Sequence, residues 1–183
     1  MLRLRFRRRS TSKLLFVVAP ERFRDEELLE PKRALEQGGV AVSVASTRRG
    51  TARGMLGATV AIDCTVRQAD AAQYDALAIA GGAGSPAHLW DSAPLLALVQ
   101  AFHAAGKPVG AICLSGAVLA RAGVLKGRRA TAYPVPRALL ELKKAGATYV
   151  GDPVVVDGPV VTASGPEAAL AFGEALLTHL RGP

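Results

Sequence analysis

Cys113 is the residue whose surroundings best suit covalent chemistry. It directly follows the apolar run Val109–Ile112, which predicts a buried strand, and it precedes Leu114–Ala122, whose apolar spacing is helical. Gly110 and Gly116 flank it three residues away on either side, which favours a tight corner between strand and helix. The free backbone N–H groups at a helix N-terminus favour a thiolate, so we predict a nucleophilic Cys113 with a lowered pKa.

A nucleophilic cysteine also needs donors for a developing oxyanion and a partner that manages protons. The backbone N–H groups of Gly82 and Leu114 are the predicted donors, because glycine lets a backbone approach closely. A carboxyl group from the first strand–helix junction is the predicted partner. The alternative is that Cys113 is a small buried side chain, the commonest fate of an unpaired cysteine.

Length and composition favour one domain. The chain has 183 residues, half of them apolar, which is enough for a full hydrophobic core. Two cysteines do not make a disulfide framework, so we expect a reducing, cytoplasmic setting. No apolar run is long enough to cross a bilayer, so no membrane partner is expected.

The basic character of the chain is concentrated at its N-terminus. Five of the 23 basic residues are arginines within Met1–Arg9, so the net charge of +8 says little about the rest. We expect residues 1–12 to be a disordered, solvated arm and residues 13–183 to form the domain. An anionic surface or nucleic-acid tether is the alternative for the arm, but no aromatic or RNA-binding motif accompanies it, so a nucleic-acid partner is not expected.

Apolar runs alternate with helical stretches along the remaining sequence. This alternation predicts a doubly wound, mostly parallel sheet in a three-layer α/β/α sandwich. Asp25 is predicted to cap the first helix through its side chain. The predicted strands are Lys13–Ala19, Val40–Ala45, Ala76–Ala80, Val109–Ile112, Arg128–Ala132, Val154–Asp157 and Pro159–Thr162, with a short hairpin within 47–62, and the predicted helices are Glu26–Gln37, Ala87–Trp90, Pro94–Ala105, Leu114–Ala122, Pro136–Ala145 and Pro166–Leu180.

Three predicted strand ends carry polar or glycine-rich segments, namely Pro20–Glu27, Gly81–Ser85 and Cys113–Ser115. Sites in doubly wound sheets lie beyond the carboxyl ends of the strands, so we expect these segments to share one pocket. The Gly-Gly-Ala-Gly run at 81–84 lacks the Lys-Ser/Thr of a phosphate loop and the fingerprint of a dinucleotide site. The spacing of the three histidines does not suggest a metal site, so neither a cofactor nor a metal is predicted.

Several stretches together carry a family resemblance. The most specific are Ala-Ile-Cys at 111–113, Ala-Gly-Val-Leu-Lys-Gly-Arg at 122–128 and the strand Val154–Asp157, supported by Pro20–Pro31 and Ala76–Gly82. On these residues the chain resembles the ThiJ/PfpI superfamily, which includes deglycases and intracellular peptidases. The resemblance covers nearly the whole chain after Lys13. It implies a flavodoxin-like fold, usually assembled as a homodimer or a higher homo-oligomer.

The resemblance also implies a partner for Cys113. In the superfamily a glutamate on the first helix, four residues before a proline, hydrogen-bonds the cysteine sulfur, and Glu27 stands four residues before Pro31. We expect Glu27 to be protonated, because two adjacent anions in a poorly solvated pocket disfavour each other, and to act as acid or base. The alternative is that Glu27, with Asp25 and Glu26, only complements the helix N-terminus.

Two positions depart from the superfamily pattern. Leu114 replaces the histidine that follows the cysteine in PfpI-like peptidases, which removes a local Cys–His dyad and favours the deglycase branch. Arg24 replaces an acid that many relatives carry, and a guanidinium there can stabilise a thiolate, bind an anionic substrate or point to solvent. Tyr133 matches a superfamily position that often lines the pocket, while Gly81 is a candidate as part of the 81–85 strand end and His88 because it follows the 81–86 loop.

Two kinds of function follow from this site. The first is a cofactor-free enzyme in which the Cys113 thiolate adds to a small reactive carbonyl, as the resemblance to glyoxalase III and deglycases implies. Hydrolysis of a peptide or another acyl substrate is the enzymatic alternative. The second is a redox sensor or stress-response chaperone in which Cys113 is oxidised to a sulfinate.

Overall fold

A seven-stranded sheet forms the centre of the chain, and the computed structural model describes residues 11–182. Its strand order is β11-β12-β8-β7-β1-β3-β6, with every pair parallel except β11 and β12. The central strands β7 and β8 are buried along their whole length, which is why they read as continuous apolar runs. The strands are β1 Lys13–Val17, β2 Glu21–Phe23, β3 Ala41–Ser46, β4 Thr51–Gly54, β5 Thr59–Ala61, β6 Cys64–Thr65, β7 Ala76–Ile79, β8 Val109–Ile112, β9 Arg129–Ala130, β10 Thr148–Tyr149, β11 Val154–Asp157 and β12 Val160–Ala163.

The helices pack in two groups, α1 against α6 and α4 against both α3 and α5. Gly110 of β8 lies under α6, where an added Cβ would come 3.0 Å from the Phe172 ring and the Leu176 side chain. The predicted doubly wound, mostly parallel α/β sandwich is confirmed. The helices are α1 Asp25–Gln37, α2 Ser85–His88, α3 Ala93–Ala104, α4 Gly116–Arg121, α5 Pro136–Lys144 and α6 Ala169–Arg181, with short 3-10 turns at Ala71–Gln73, Cys113–Ser115 and Pro166–Ala168.

Two small sheets accompany the main one. The predicted hairpin forms as β4 and β5, and β2 pairs alongside β4. The strand predicted at Arg128–Ala132 is only β9, which pairs with β10 outside the main sheet. No sequence pattern predicts β2, because Glu21–Phe23 is short and two of its three residues are exposed.

The predicted capping role of Asp25 is wrong. The N-cap position of α1 is Arg24, it has no side-chain cap bond, and Asp25 is the first residue of the helix proper. The Asp25 carboxylate is buried and accepts the N–H groups of Leu56 and Ala58 instead, at 2.9 and 2.7 Å. The Asp25 side chain therefore makes tertiary hydrogen bonds to the turn after β4, although the local sequence pattern predicted that it would cap α1.

No helix in the described range is long and apolar enough to span a membrane. The arm predicted over residues 1–12 lies outside the described residues, apart from its last two positions.

Candidate functional site

The three predicted strand-end segments meet at one edge of the main sheet. A pocket of about 180 Å³ opens there, and Cys113 is among its lining residues. We call it the reactive pocket. Its lining residues come from the start of α1, the β4–β5 turn, the loop after β7, the corner after β8, the loop after β9 and the 3-10 turn after β12: Arg24, Glu27, Met55, Gly82, Ala83, Cys113, Leu114, Tyr133 and Pro166.

Cys113 occupies the predicted corner between β8 and α4. Its φ of 62° lies in the left-handed region, which side-chain-bearing residues adopt at a cost of about 1–2 kcal/mol. The Cys113 carbonyl accepts the Tyr133 N–H at 3.3 Å, and Ser115 donates its hydroxyl to the Ala80 carbonyl at 2.6 Å. Trp90 Nε1 donates to the Leu114 carbonyl at 2.9 Å. These bonds hold the strained corner against β7 and fix where the sulfur points.

Glu27 is a fully buried carboxyl group on the first turns of α1. Its Oε2 accepts the Gly81 N–H at 2.8 Å, whereas Oε1 is buried and has no partner with full hydrogen-bond geometry among the described residues. Burial raises the pKa of Glu27 to about 7, and hydrogen bonds from Cys113 and Gly81 only partly offset that effect. Since Oε2 is committed as an acceptor, a proton on this carboxyl belongs on Oε1.

Gly81 separates the acid from the cysteine. A Cβ built on Gly81 would come 2.6 Å from Glu27 Oε2 and 2.7 Å from Cys113 Cβ. Any larger residue would therefore push the two apart. Gly81, predicted as a pocket position, is not among the residues that line the reactive pocket, but it sets the approach of Glu27 to Cys113.

The backbone N–H groups of Gly82 and Leu114 lie close enough to the Cys113 sulfur to lower the pKa of its thiol, whereas their predicted role as donors to an oxyanion stays a prediction. The net direction is nevertheless the opposite of the predicted one. Burial and the adjacent Glu27 carboxylate raise the pKa of the Cys113 thiol by more than the two amides lower it. The prediction of a lowered pKa is thus corrected, because it counted the helix end and not the low-dielectric surroundings.

Glu27 and Cys113 are best treated as one titrating pair. When the pair holds a single proton, that proton can sit on Glu27 Oε1 and leave a thiolate facing two amide donors and one O–H donor. In the alternative arrangement the thiol and the Gly81 N–H both donate to the Glu27 carboxylate, and the pKa directions of the two groups favour this form. The thiolate tautomer is thus the minor form of the singly protonated pair, and it is the form that can act as a nucleophile.

Backbone hydrogen bonds join the loop after β7 to β2 and Arg24. These bonds set the position of the Gly82 N–H group. The Arg24 N–H donates to the Gly81 carbonyl and the Gly84 N–H to the Arg22 carbonyl, both at 3.0 Å. Gly82 has a φ of 103°, and a Cβ there would come 2.3 Å from the Arg24 nitrogen. A Cβ on Gly84 would come 1.9 Å from the Glu21 carbonyl oxygen. These contacts explain why the 81–84 run is rich in glycine, because a side chain at Gly82 or Gly84 would collide with the neighbouring backbone.

Met55 was not predicted as a site residue. It stands at the β4–β5 turn and lines the reactive pocket, and its Sδ accepts the Ala83 N–H at 3.4 Å. Asp25 holds this turn through Leu56 and Ala58, while the Met55 N–H donates to the Phe23 carbonyl at 2.8 Å. The hairpin pattern in the sequence predicted the turn, but it gave no indication that the turn forms a wall of the pocket.

The other predicted site residues differ in whether they line the reactive pocket. Arg24 lines the reactive pocket and is paired with Glu26 through Nε and Nη2, at 2.8 and 3.0 Å. Tyr133 also lines the pocket and is 42% exposed. His88, at the end of α2, is not among the residues that line the reactive pocket. Within residues 11–182, no cluster of three or more His, Cys, Asp or Glu side chains is arranged to hold a metal ion.

Comparisons with known proteins agree with this geometry. The model of the DJ-1/PfpI family matches residues 12–179. A deglycase of Pyrococcus horikoshii is 36% identical over 87% of this chain and 94% of its own length, and protein/nucleic acid deglycase 2 of Escherichia coli is 33% identical over 92% and 98%. The crystal structure of a ThiJ/PfpI domain protein from Brachyspira murdochii superposes with a TM-score of 0.88 at 32% identity, covering 94% of this chain and 98% of its own. Since the family model covers most of the chain and relatives more than 30% identical match it over most of its length, the chain belongs to the DJ-1/PfpI family.

Proposed function

We propose that this protein is a cysteine-dependent enzyme acting on small reactive carbonyl compounds and their adducts, in the manner of a glyoxalase or deglycase. The observation that carries the proposal is the Glu27–Cys113 pair, a buried acid with a pKa of about 7 beside a corner cysteine. Such a pair can supply a nucleophile and a proton at neutral pH. The deglycases among its relatives support the substrate class.

The first step is addition to the carbonyl. The Cys113 thiolate attacks the aldehyde carbon of a 2-oxoaldehyde such as methylglyoxal, a C–S bond forms, and the carbonyl oxygen becomes an alkoxide. The amides of Gly82 and Leu114 are the donors we assign to that developing charge. Glu27 delivers its Oε1 proton to the alkoxide, which gives a thiohemiacetal and leaves Glu27 ionised.

The ionised Glu27 then acts as a base. It removes the proton from the former aldehyde carbon, an enediol forms, and a proton returned to the neighbouring carbon gives a 2-hydroxy thioester. Water hydrolyses the thioester to a hydroxy acid and regenerates the thiol. The net change is methylglyoxal plus water to lactate, so no external oxidant or reductant is consumed.

Peptide hydrolysis is less well supported by this site. Leu114 stands where a Cys–His dyad would place its base, and the reactive pocket of about 180 Å³ suits a small substrate. Without a histidine at position 114, Glu27 is the candidate for proton transfer among the residues that line the reactive pocket.

Lactate formation from methylglyoxal tests the proposal. We expect Cys113→Ser and Glu27→Gln each to lower kcat/KM by at least about 100-fold, the usual contribution of an acid–base group or nucleophile. Cys64→Ser is the matched control, because Cys64 lies away from the reactive pocket, and it should retain wild-type activity. Equal activity in wild type, Cys113→Ser and Glu27→Gln would overturn the proposal.

A further inference from the structure

The residues between the loop after β7 and helix α3 bond to both places that carry an N–H group close to the Cys113 sulfur. We call residues 85–90 the 85–90 segment. The Ser85 N–H donates to the Gly82 carbonyl at 3.1 Å, which joins the segment to the loop after β7. The side chains of Ser85 and Trp90 reach the corner after β8. The 85–90 segment therefore connects the two loops that flank the sulfur.

Ser85 and Ser115 form a buried pair of hydroxyl groups. Their Oγ atoms are 2.7 Å apart, and both residues are fully buried. Ser115 gives its one hydroxyl proton to the Ala80 carbonyl at 2.6 Å, so Ser85 is the donor between the two hydroxyls. Because a buried hydroxyl without a partner is costly, these bonds keep the end of β7, the corner after β8 and the 85–90 segment at fixed distances from one another.

Trp90 bonds to the residue that follows the cysteine. Its Nε1–H donates to the Leu114 carbonyl at 2.9 Å, and the indole is buried. The guanidinium carbons of Arg121 and Arg137 lie 5.2 and 5.7 Å from the centre of the Trp90 ring. Arg121 of α4 is itself paired with Glu141 of α5 at 2.9 Å. Cation–π contacts from two packed helices therefore hold the indole that bonds Leu114.

These bonds act on the two residues that directly follow the cysteine. Leu114 is bonded through its carbonyl and Ser115 through its hydroxyl, so the conformation of the turn that carries the Leu114 N–H is fixed on its C-terminal side. The Gly82 N–H lies on the loop that Ser85 bonds through its own N–H. Donors to a developing charge must be held within about 0.5 Å of their productive positions, which requires support of this kind.

We propose that Ser85, Ser115 and Trp90 are positioning residues: they fix the separation of the two backbone N–H groups beside the reactive sulfur, so that both groups act on one anionic atom. In the free protein that atom is the thiolate. During carbonyl addition it is the alkoxide, and this second part rests on the proposed function. The three residues are not among those that line the reactive pocket, so they act through Gly82 and Leu114.

Alkylation of Cys113 by iodoacetamide tests the positioning without turnover. Its rate follows the fraction of thiolate, which hydrogen bonds to the charged form increase. A Cys64→Ser background leaves Cys113 as the one thiol of the chain. In that background we expect Ser85→Ala and Trp90→Phe each to slow alkylation at pH 7 by about threefold or more and to move its pH profile upward. Trp90→Phe keeps an aromatic ring beside the two arginines and removes only the indole N–H.

A merely structural role predicts the opposite sign. Cys113 is only 6% exposed, so a looser corner would give iodoacetamide better access and would speed alkylation. Lactate formation reports on the alkoxide: both variants should lower kcat by about 10- to 100-fold, with KM changed by less than about twofold, because misplaced donors act on the transition state.

Two further variants assign the effect. Ser92→Ala is the matched control, because Ser92 stands at the N-cap position of α3 without a side-chain cap bond, and it should leave alkylation and kcat unchanged. The double variant Ser85→Ala/Ser115→Ala should slow alkylation no more than Ser115→Ala alone, because both substitutions break the same hydroxyl–hydroxyl bond.

Unchanged or faster alkylation in both Ser85→Ala and Trp90→Phe, with urea unfolding showing that both are folded, would overturn this inference. If the wild type also formed lactate, the proposed reaction would stand without the positioning role. Slower alkylation in both variants of a protein that forms no lactate would support the positioning of the thiolate and reject the proposed reaction. The two hypotheses can thus fail separately.

Discussion

Two features of the Glu27–Cys113 pair lower the stability of the fold. Cys113 has a positive φ, and Glu27 buries a carboxyl group that has one well-formed hydrogen bond. Strained backbone and buried ionisable groups concentrate at functional sites, where the surrounding structure maintains them. Each feature can therefore be tested through its cost to stability, independently of any substrate.

The Glu27 carboxyl should make stability fall as the pH rises. Its pKa in the folded chain is about 7, above the ordinary value of 4.5, so the folded state binds more protons than the unfolded state between these values. We expect Glu27→Gln, which cannot ionise, to be more stable than wild type at pH 8 by up to about 3 kcal/mol. At pH 4.5 the two should be nearly equal, as measured by urea unfolding.

Glu174→Gln is the control for this pH series, because Glu174 lies on the exposed side of α6 and should follow the wild-type trend. If Glu27→Gln and wild type kept a constant difference from pH 4.5 to 8, Glu27 would not carry a raised pKa.

The backbone strain at Cys113 predicts a preference for glycine. Cys113→Gly and Cys113→Ala both remove the sulfur, but only alanine keeps the Cβ that disfavours a φ of 62°. We expect the glycine variant to be more stable than the alanine variant by about 1 kcal/mol in urea unfolding. Equal stabilities would mean that the corner relaxes to a negative φ once the thiol is gone.

The sequence was sufficient to identify these two residues but not their electrostatics. Cys113 stood out by its strand–glycine–helix context, and Glu27 by its spacing to Pro31 in a known family pattern. The direction of the Cys113 pKa depends on burial and on a carboxylate 86 positions away in the chain, which no local pattern reveals. The backbone amides at the helix end lower the Cys113 pKa, but burial and the Glu27 carboxylate raise it by more.

At the scale of elements, the position of the β4–β5 hairpin could not be predicted from the pattern of apolar and polar residues along the chain. Its residues were identified as a hairpin, yet its position over the reactive pocket is set by Asp25 and by pairing with β2. Asp25 fitted a capping pattern, and β2 is too short and exposed for any pattern. Contacts between segments distant in sequence decide such placements, so Met55 could not be assigned to the site beforehand.

Removing the Asp25 carboxylate should release this wall of the pocket. Asp25→Ala leaves the Leu56 and Ala58 N–H groups without their acceptor, which costs about 1–3 kcal/mol in urea unfolding. We also expect KM for methylglyoxal to rise more than kcat falls, because the turn carries Met55 and not the reacting groups. Asp152→Ala, which removes an exposed carboxylate 4.0 Å from Arg129, should change stability by no more than about 0.5 kcal/mol.

An unchanged KM in Asp25→Ala, with the loss of stability still observed, would limit Asp25 to a structural role and remove Met55 from substrate binding.

At the scale of the whole molecule, the position of Glu27 depends on the last helix of the chain. Pro31 lies inside α1 one turn beyond Glu27 and has no N–H to donate to the Glu27 carbonyl. Pro31 packs on Gly173 of α6, where an added Cβ would come 2.6 Å from Pro31 Cα. Helix α1, which carries Glu27, therefore packs directly against the backbone of α6. Within the Glu-x-x-x-Pro spacing, Glu27 lies beside Cys113 and Pro31 forms the contact with α6.

Gly173→Ala tests this link between the chain ends and the reactive pair. Alanine improves helix propensity by about 1 kcal/mol, but a Cβ against the α1 backbone must push the helices apart, which costs about 1–3 kcal/mol or more because no flexible side chain can give way. We expect a net loss of stability in urea and, because α1 carries Glu27 with it, a shift in the pH profile of Cys113 alkylation by iodoacetamide. The neighbouring exposed Glu174→Ala places alanine at the next position of α6 without the clash and should leave both measurements nearly unchanged. A destabilised Gly173→Ala with a wild-type alkylation profile would show that the pocket holds Glu27 in place without help from α6.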